Sequence, residues 1–553
     1  MIKDIKKWFA SGEPWIWLNA AAVGASVIMV VGLLLLIAVR GLGHFWPHAI
    51  EEVRYQWQGE EVRIIGEVQG KELVDTQRLI DSGIPLETDE LKVTRYLMKI
   101  GNRDAYGVDF RNIVEPLVVA RERPRDLITV ERTEYGNFYG YLREVKEAGT
   151  VVASGEAAWA ALQERIDRVA ALRHDIRAIE KYAIGDINYA MEKLRLTKRR
   201  LEIEGEDTPE NLARIDSQRA VLDERYDKLY AELNALYEEI RRDSFTAEIQ
   251  DGRVLEVPME RVIQAYRPNA MNLLQKIGFY LGQLWNFVSG EPREANTEGG
   301  IFPAIFGTVM MVLVMAVLVT PLGVVAAVYL REYAKQGPLV RTIRIAVNNL
   351  AGVPSIVYGV FGLGFFVYFL GGNIDRLFYP EAAPAPVFGT PGMIWASLTL
   401  ALLTLPVVIV STEEGLSRIP RSIREGSLAL GATKAETLWR TVLPMTSPAI
   451  MTGLILAVAR AAGEVAPLML VGVVKLAPSL AVDGNFPFLH LERKFMHLGF
   501  HIYDVGFQSP NVEAARPLVY ATALLLVIII IALNLVAIGV RNRLREKYRE
   551  LEN

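Results

Sequence analysis

The chain of 553 residues contains no cysteine, which removes disulfides and thiolate metal ligands from consideration. Its histidines number only six. His497 and His501 share the i, i+4 spacing of helical zinc ligands, with His490 nearby, but no carboxylate or thiolate completes a helical ligand set, so no metal site is predicted. The phosphate-cradling P-loop is missing as well. "GEVQGKEL" holds a Gly-Lys pair without the spacing or the Ser/Thr that the loop needs, so no nucleotide site follows. There is no Gly-x-Ser-x-Gly elbow and no His-Glu-x-x-His. Charge of one sign is scarce too: a net charge of −4 is too small to imply nucleic acid as a partner. No metal or nucleotide site of its own is therefore predicted for this chain.

Long apolar runs are abundant. Hydrophobic residues make up 51% of the chain and charged ones 22%, the mixture of a membrane part and a sizeable soluble part. Six runs approach or exceed the roughly 20 residues needed to cross a bilayer: 17–39, 305–330, 345–370, 394–410, 449–474 and 518–540. The first is too long for a signal peptide and lacks its small-residue cleavage site, so it reads as a retained anchor. Basic residues cluster in alternate loops. Lys3, Lys6 and Lys7 precede the first run, Arg331, Lys335, Arg341 and Arg344 follow the second, and Arg418, Arg421, Arg424, Lys434 and Arg440 follow the fourth. Arg541, Arg543, Arg545, Lys547 and Arg549 mark the tail. The positive-inside rule therefore predicts cytoplasmic termini, an inner-membrane location and an insert on the periplasmic side.

That predicted insert falls into pieces. Val53, Tyr55 and Trp57 share one parity, as do Tyr96, Met98 and Ile100, so 41–153 is read as a small mixed α/β region. Over 154–243, Leu162, Ile166, Val169, Leu172 and Ile176 recur at three- and four-residue steps. Ile215, Leu222, Leu229, Leu233 and Ile240 answer them after "EGEDTP", predicting an antiparallel coiled-coil-like hairpin with Thr208 as a cap. It serves either as a rigid spacer or as a docking site. The return segment 244–300 includes an amphipathic stretch with Leu274, Ile277, Leu281, Leu284 and Val288 on one side, expected to lie on the lipid surface. The anchor with its N-terminus takes 1–40, the membrane core 301–541 and the basic tail 542–553.

Between the fourth and fifth runs, "EGSLALGATKAETLWRTVLP" is polar and helix-prone. Arg421 to Leu430 form a short helix, Gly431 can end it in the left-handed region, and Thr433 with Glu436 makes a capping box that starts a second. Pro444 is expected to stop that helix. The spacing of Glu425, Gly431, Leu443 and Pro444 over 421–444 resembles the EAA loop of ABC importer permeases, with Gly426 and Ser427 in place of the two alanines and Thr441 in place of isoleucine. "GVPSIVYGVFGLG", "AVARAAGEVAPLML", "IYDVGFQSPNVEAARPLVYATALLL" and "EGGIFPAIFGT" resemble the PstA-type permease of phosphate importers, over about 298–545. The resemblance implies an α-helical core of five spans after the anchor, and translocation of inorganic phosphate. It also implies a loop docked on a separate ATPase that consumes the ATP. The implied partners are a PstC-type permease, two copies of a PstB-type ATPase and a PstS-type periplasmic binding protein. A permease for another oxyanion or solute, or a membrane-anchored sensor acting through the hairpin, are the alternatives.

Charges inside apolar runs mark the candidate path. Counting from Pro448 at ~1.5 Å per residue, Arg460 lies about 18 Å and Glu464 about 24 Å into the fifth run. Four residues apart, they share a helical face and can pair. Arg460 offers positive potential to an anion and Glu464 limits how tightly it is held; an ion pair locking the helix to a neighbour is the competing role. Glu413 ends the fourth run; relatives carry an equivalent glutamate, some with an arginine where this chain has Val410. Pro321, Gly352 and Pro354 break helical regularity and serve as hinges or as packing points.

Overall fold

A computed structural model describes residue 8 and residues 10–57, 59–509 and 512–549. Lys3, Lys6, Lys7, the last four residues of the tail and the Pro510-Asn511 pair of the "IYDVGFQSPN" stretch fall outside the described residues. Six helices among the described residues are long and apolar enough to cross a membrane: Glu13–Gly43, Phe302–Tyr333, Ser355–Phe378, Met393–Arg418, Lys434–Gly463 and Ala515–Lys547, here spans one to six. Span four is the axis of the bundle, with 67% of its apolar window buried, and it packs on spans two and five. Span six packs on span five, and span one lies against span six. Small residues allow these approaches. Gly323 meets Val408, Gly453 meets Ser411, Gly415 meets Ala449 and Thr446, and Gly41 meets the backbone at Tyr520, each so close that a Cβ would collide.

Two spans differ from the expectation. The run 345–370 is split: an amphipathic helix, Pro338–Leu350, precedes a break, and span three begins only at Ser355. Pro354 has no N–H to donate and disfavours helical backbone at Val353, so Gly352 and Pro354 mark a junction rather than a kink within a span. The run 449–474 is likewise not one helix. Span five starts earlier, at Lys434, and ends at Gly463, with Glu464 already extended at ψ 136. Span two, by contrast, remains helical through Pro321.

The region between spans one and two is built on two antiparallel sheets. The first has the order β4-β3-β2-β1-β5, from Ile50–Trp57 (β1), Glu60–Asp75 (β2), Lys92–Lys99 (β3), Phe110–Val114 (β4) and Val118–Glu122 (β5). Val53, Tyr55, Met98 and Ile100 fill its core, as their parity requires. The second sheet joins Leu127–Arg132 (β6), Phe138–Glu147 (β7) and Thr150–Ser154 (β8) to Asp243–Glu248 (β9), Val254–Pro258 (β10) and Val262–Tyr266 (β11). The segment 244–300 is therefore more than a return path. Its first strands complete a sheet begun before the hairpin, because β7 pairs with β9 and β6 with β11.

The helical hairpin rises from this sheet. Its first arm runs as Glu156–Ala178, a wider turn Ile179–Ala183 and Ile184–Glu204; its second is Pro209–Ile240, capped by the Thr208 hydroxyl, which accepts from the Asn211 N–H. The lower part of the first arm, through Leu162, Ile166, Val169 and Leu172, shares one core with Val130, Phe138 and Val145 of the sheet. The upper part reaches the loops of the membrane core. Tyr189 donates to the Phe486 carbonyl at 2.5 Å, Asn485 donates to Asp186 at 3.1 Å, and Arg200 pairs with Glu381, whose side chain is buried. The face carrying these contacts is the insert face, and the opposite one is the loop face.

The amphipathic helix that precedes span two is Leu273–Ser289, opened by a capping box from Asn272 and Gln275. Leu274, Leu281 and Trp285 are exposed along it.

Candidate functional site

On the loop face, the connection between spans four and five is a bent helix pair. Its first helix is Arg421–Ala429, and Gly431 turns the chain at φ +89°, a conformation that costs a side-chain-bearing residue dearly. Thr433 and Glu436 then form the expected capping box, each satisfying the other's backbone N–H. The expected stop at Pro444 is absent. The helix widens into a π-turn over Leu438–Val442, which absorbs the missing proline N–H, and continues without interruption into the membrane as span five. The loop is thus the outer end of a membrane helix rather than a separate elbow. Leu443 and Pro444 are half-buried at its root, while Glu425, Leu430 and Trp439 are exposed, Leu430 to 90%. Leu430 and Trp439 thus leave apolar surface open on an otherwise polar, projecting helix pair.

The pair is braced from behind. Ser427 and Thr437 share a hydroxyl hydrogen bond of 2.9 Å across the bend. Arg424 donates to the Leu416 carbonyl at 2.7 Å and pairs with Glu332 at 3.0 Å, while Lys434 bonds the Glu332 carbonyl and stands 4.6 Å from the Tyr333 ring centroid. The bend is therefore fastened to the ends of spans two and four.

Along span five the packing register places the two charges of the fifth apolar run. Gly453 faces Ser411 and Val408. Arg460, seven residues on, is about 10 Å further, level with the middle of span four. Its Nε lies 3.7 Å from Glu464 Oε1, and both side chains are partly exposed, at 35% and 21%. They do not share a helical face, because the helix ends between them. Beyond the break the chain makes a short turn of helix, Leu468–Val471, and regains the start of span four where Gly392 donates to the Val471 carbonyl. Pro467 packs directly on Gly359 of span three. Non-helical backbone at this depth is tolerated only when protein covers it or when it lines an aqueous cavity. An arginine with an open side at such a break can attract an anion while a nearby carboxylate limits its hold.

Glu413 sits apart from that pair, near the loop face. Val410 leaves it no arginine on its own helix, yet a guanidinium reaches it: Arg344 of the amphipathic helix approaches at 3.2 Å. Sequence spacing could not show this contact, since the two residues lie on different elements separated by a span. Arg344 had signalled only through its contribution to loop charge.

Residues 319–550 match the family of binding-protein-dependent transport system inner membrane components. The phosphate transport system permease protein PstA of Mycobacterium leprae (strain TN) is 37% identical over 263 residues, 47% of this chain and 77% of that protein. The chain belongs to this permease family. The PstA protein of Yersinia pestis is 32% identical over 251 residues, 45% of the permease and 75% of its relative, and the PstC protein of Xylella fastidiosa (strain 9a5c) is 31% identical over 222 residues, 38% and 66%. A chain of the inward-facing MetNI methionine ABC transporter has 18% identity and a TM-score of 0.33, over 48% of the permease and 98% of that chain, too low a score for comparing the folds. The permease is a multi-pass inner-membrane component of an ABC importer and is not itself an ATPase.

Proposed function

We propose that this permease moves inorganic phosphate, as a PstA-type subunit paired with a PstC-type permease. Of the importer's two PstB-type ATPases, one binds this chain's loop face through Glu425, Leu430 and Trp439, and a PstS-type protein delivers the anion at the insert face. The termini and the loop face are cytoplasmic, in keeping with the basic loops, and the insert is periplasmic. The reading rests on one observation: a single helix carries the docking bend at one end and Arg460 at its broken end, mid-depth in the bundle. Movement of the bend is then movement of the guanidinium. Similarity to several phosphate permeases supports the choice of anion, and a guanidinium matches phosphate geometry and charge.

In the mechanism, the chain's residues bind and position only. Phosphate released at the insert face meets Arg460, whose side chain is open on one side at the helix break. Glu464 competes for the same guanidinium and so keeps the complex weak enough to release. ATP-driven closure of the ATPases displaces Arg421–Ala429, span five tilts with it, and the contact between Arg460 and its surroundings changes, passing the anion toward the loop face. Uptake of radiolabelled orthophosphate by cells whose only high-affinity route is this importer is the test. Arg460→Ala is expected to lower initial uptake at least tenfold and Arg460→Lys less. Undiminished uptake by Arg460→Ala removes Arg460 from the path, and competition by another oxyanion but not by phosphate changes the substrate.

A further inference from the structure

On the loop face one guanidinium joins three elements. Arg344 sits on Pro338–Leu350, between spans two and three. Its Nε faces Glu413 of span four at 3.2 Å, its Nη1 donates to Gln336 at 2.9 Å, and its Nη2 donates to the Leu330 carbonyl at 3.2 Å. Leu330 belongs to the π-turn Tyr329–Tyr333 that ends span two. The same turn is held from the other side by the docking bend, through Arg424 on the Glu332 carboxylate and Lys434 on the Glu332 carbonyl. The turn is therefore gripped by the bend on one side and by Arg344 on the other, with Leu330 and Glu332 only two residues apart.

We propose that Arg344 is a positioning residue for transport: it carries displacement of the docking bend through the Tyr329–Tyr333 turn to Glu413, so that span four and the amphipathic helix move as one body with the ATPase stroke. The planar fork suits this task, because three contacts in fixed directions resist rotation, whereas a lysine is a single point charge that can hold Glu413 or the carbonyl but not keep the geometry of both. The half-buried setting strengthens the link relative to a solvated ion pair, since Glu413 is 19% exposed and Arg344 32%. Hydrogen-bonded and ion-paired groups linking rigid elements are one route by which displacement at one site reaches another.

This inference rests on the permease reading, although not on phosphate as the solute. The experiment uses the full importer in proteoliposomes and follows radiolabelled orthophosphate uptake and ATP hydrolysis separately. In Arg344→Ala, uptake is expected to fall about tenfold while hydrolysis stays within twofold, so that phosphate moved per ATP collapses. Arg344→Lys should lie between, and the charge exchange Arg344→Glu with Glu413→Arg should recover part of the ratio lost in either single variant. An unchanged ratio in Arg344→Ala, or a parallel loss of uptake and hydrolysis in Arg344→Lys, overturns the proposal. A second readout needs no solute: spin labels at Leu339 and Glu414, both exposed, report the distance between the amphipathic helix and span four through the nucleotide cycle. It should stay constant in the otherwise native protein and vary in Arg344→Ala, and constancy in both overturns the proposal. Failure of orthophosphate to move in the native importer refutes the phosphate reading alone, and the label distances then decide the role of Arg344.

Discussion

In the proposed mechanism Arg460 and Glu464 divide attraction from release, and their separate substitution should show it. In Glu464→Gln the guanidinium loses its competitor, so phosphate should half-saturate uptake at lower concentration while maximal uptake slows. A rise in half-saturating concentration would contradict that division. Histidines set a second residue-scale property. Burial pushes His497 down to about 3 and His501 to about 4, the latter against the opposing pull of Asp504. Each is neutral in the folded protein but binds a proton near pH 6.5 when unfolded. The stability they contribute is therefore intact above about pH 6.5 and drains as the pH falls toward 3–4, by at most ~1.4 kcal/mol per histidine per pH unit. Thermal unfolding of purified protein should shift downward between pH 7 and pH 5, and His497→Gln should flatten that slope. An acid-insensitive melting temperature would contradict the burial. The charges at 460, 464 and 413 were legible in the sequence because ionisable residues are expensive in apolar runs. Arg344 was not, because which side chain turns toward Glu413 depends on how an amphipathic helix lies across the bundle.

At the scale of elements, the docking bend was the most legible feature, since a glycine and a capping box dictate local backbone whatever surrounds them. Gly431 has φ +89°, so Gly431→Ala should cost about 1–2 kcal/mol, and Thr433→Ala about 1 kcal/mol through its lost cap. Hydrogen exchange at the Glu436 amide, which donates to the Thr433 hydroxyl, should accelerate about fivefold or more in Thr433→Ala. Unchanged exchange would mean that the cap carries no weight. Helix ends within the membrane were poorly legible. An apolar run continues across Gly463 and Glu464 in composition, yet the helix does not, and Pro444, which looks like a stop, sits in the first turn after a π-turn where its missing N–H is tolerated. The hairpin's arms were legible from their repeats, but their position was not. Arg200 on Glu381 and Tyr189 on the Phe486 carbonyl are contacts between segments nearly 200 and 300 residues apart in the chain. Arg200→Glu places like charge on buried Glu381, and protease sensitivity at the 205–208 turn should increase. An unaltered digestion pattern would show that the arm is held without that pair.

For the whole molecule, the two sheets, the hairpin and six spans form one connected body in which the insert touches the membrane core and the docking bend is continuous with span five. In the proposed mechanism, displacement of the bend is carried to Arg460 by one helix, Lys434–Gly463, with the Leu438–Val442 π-turn inside it. The absence of cysteine lets that be measured directly with two introduced labels. Spin labels at Arg440, exposed beside the docking residues, and Gly463 mark the outer and inner parts of the continuous helix, about 35 Å apart at ~1.5 Å per residue. Pulsed dipolar distances in the assembled importer, with and without a non-hydrolysable nucleotide, should leave this separation unchanged while the distance from Arg440 to a third label at Leu377 on the insert face shifts. A change of several ångströms within the helix itself, with no shift relative to Leu377, would contradict the account.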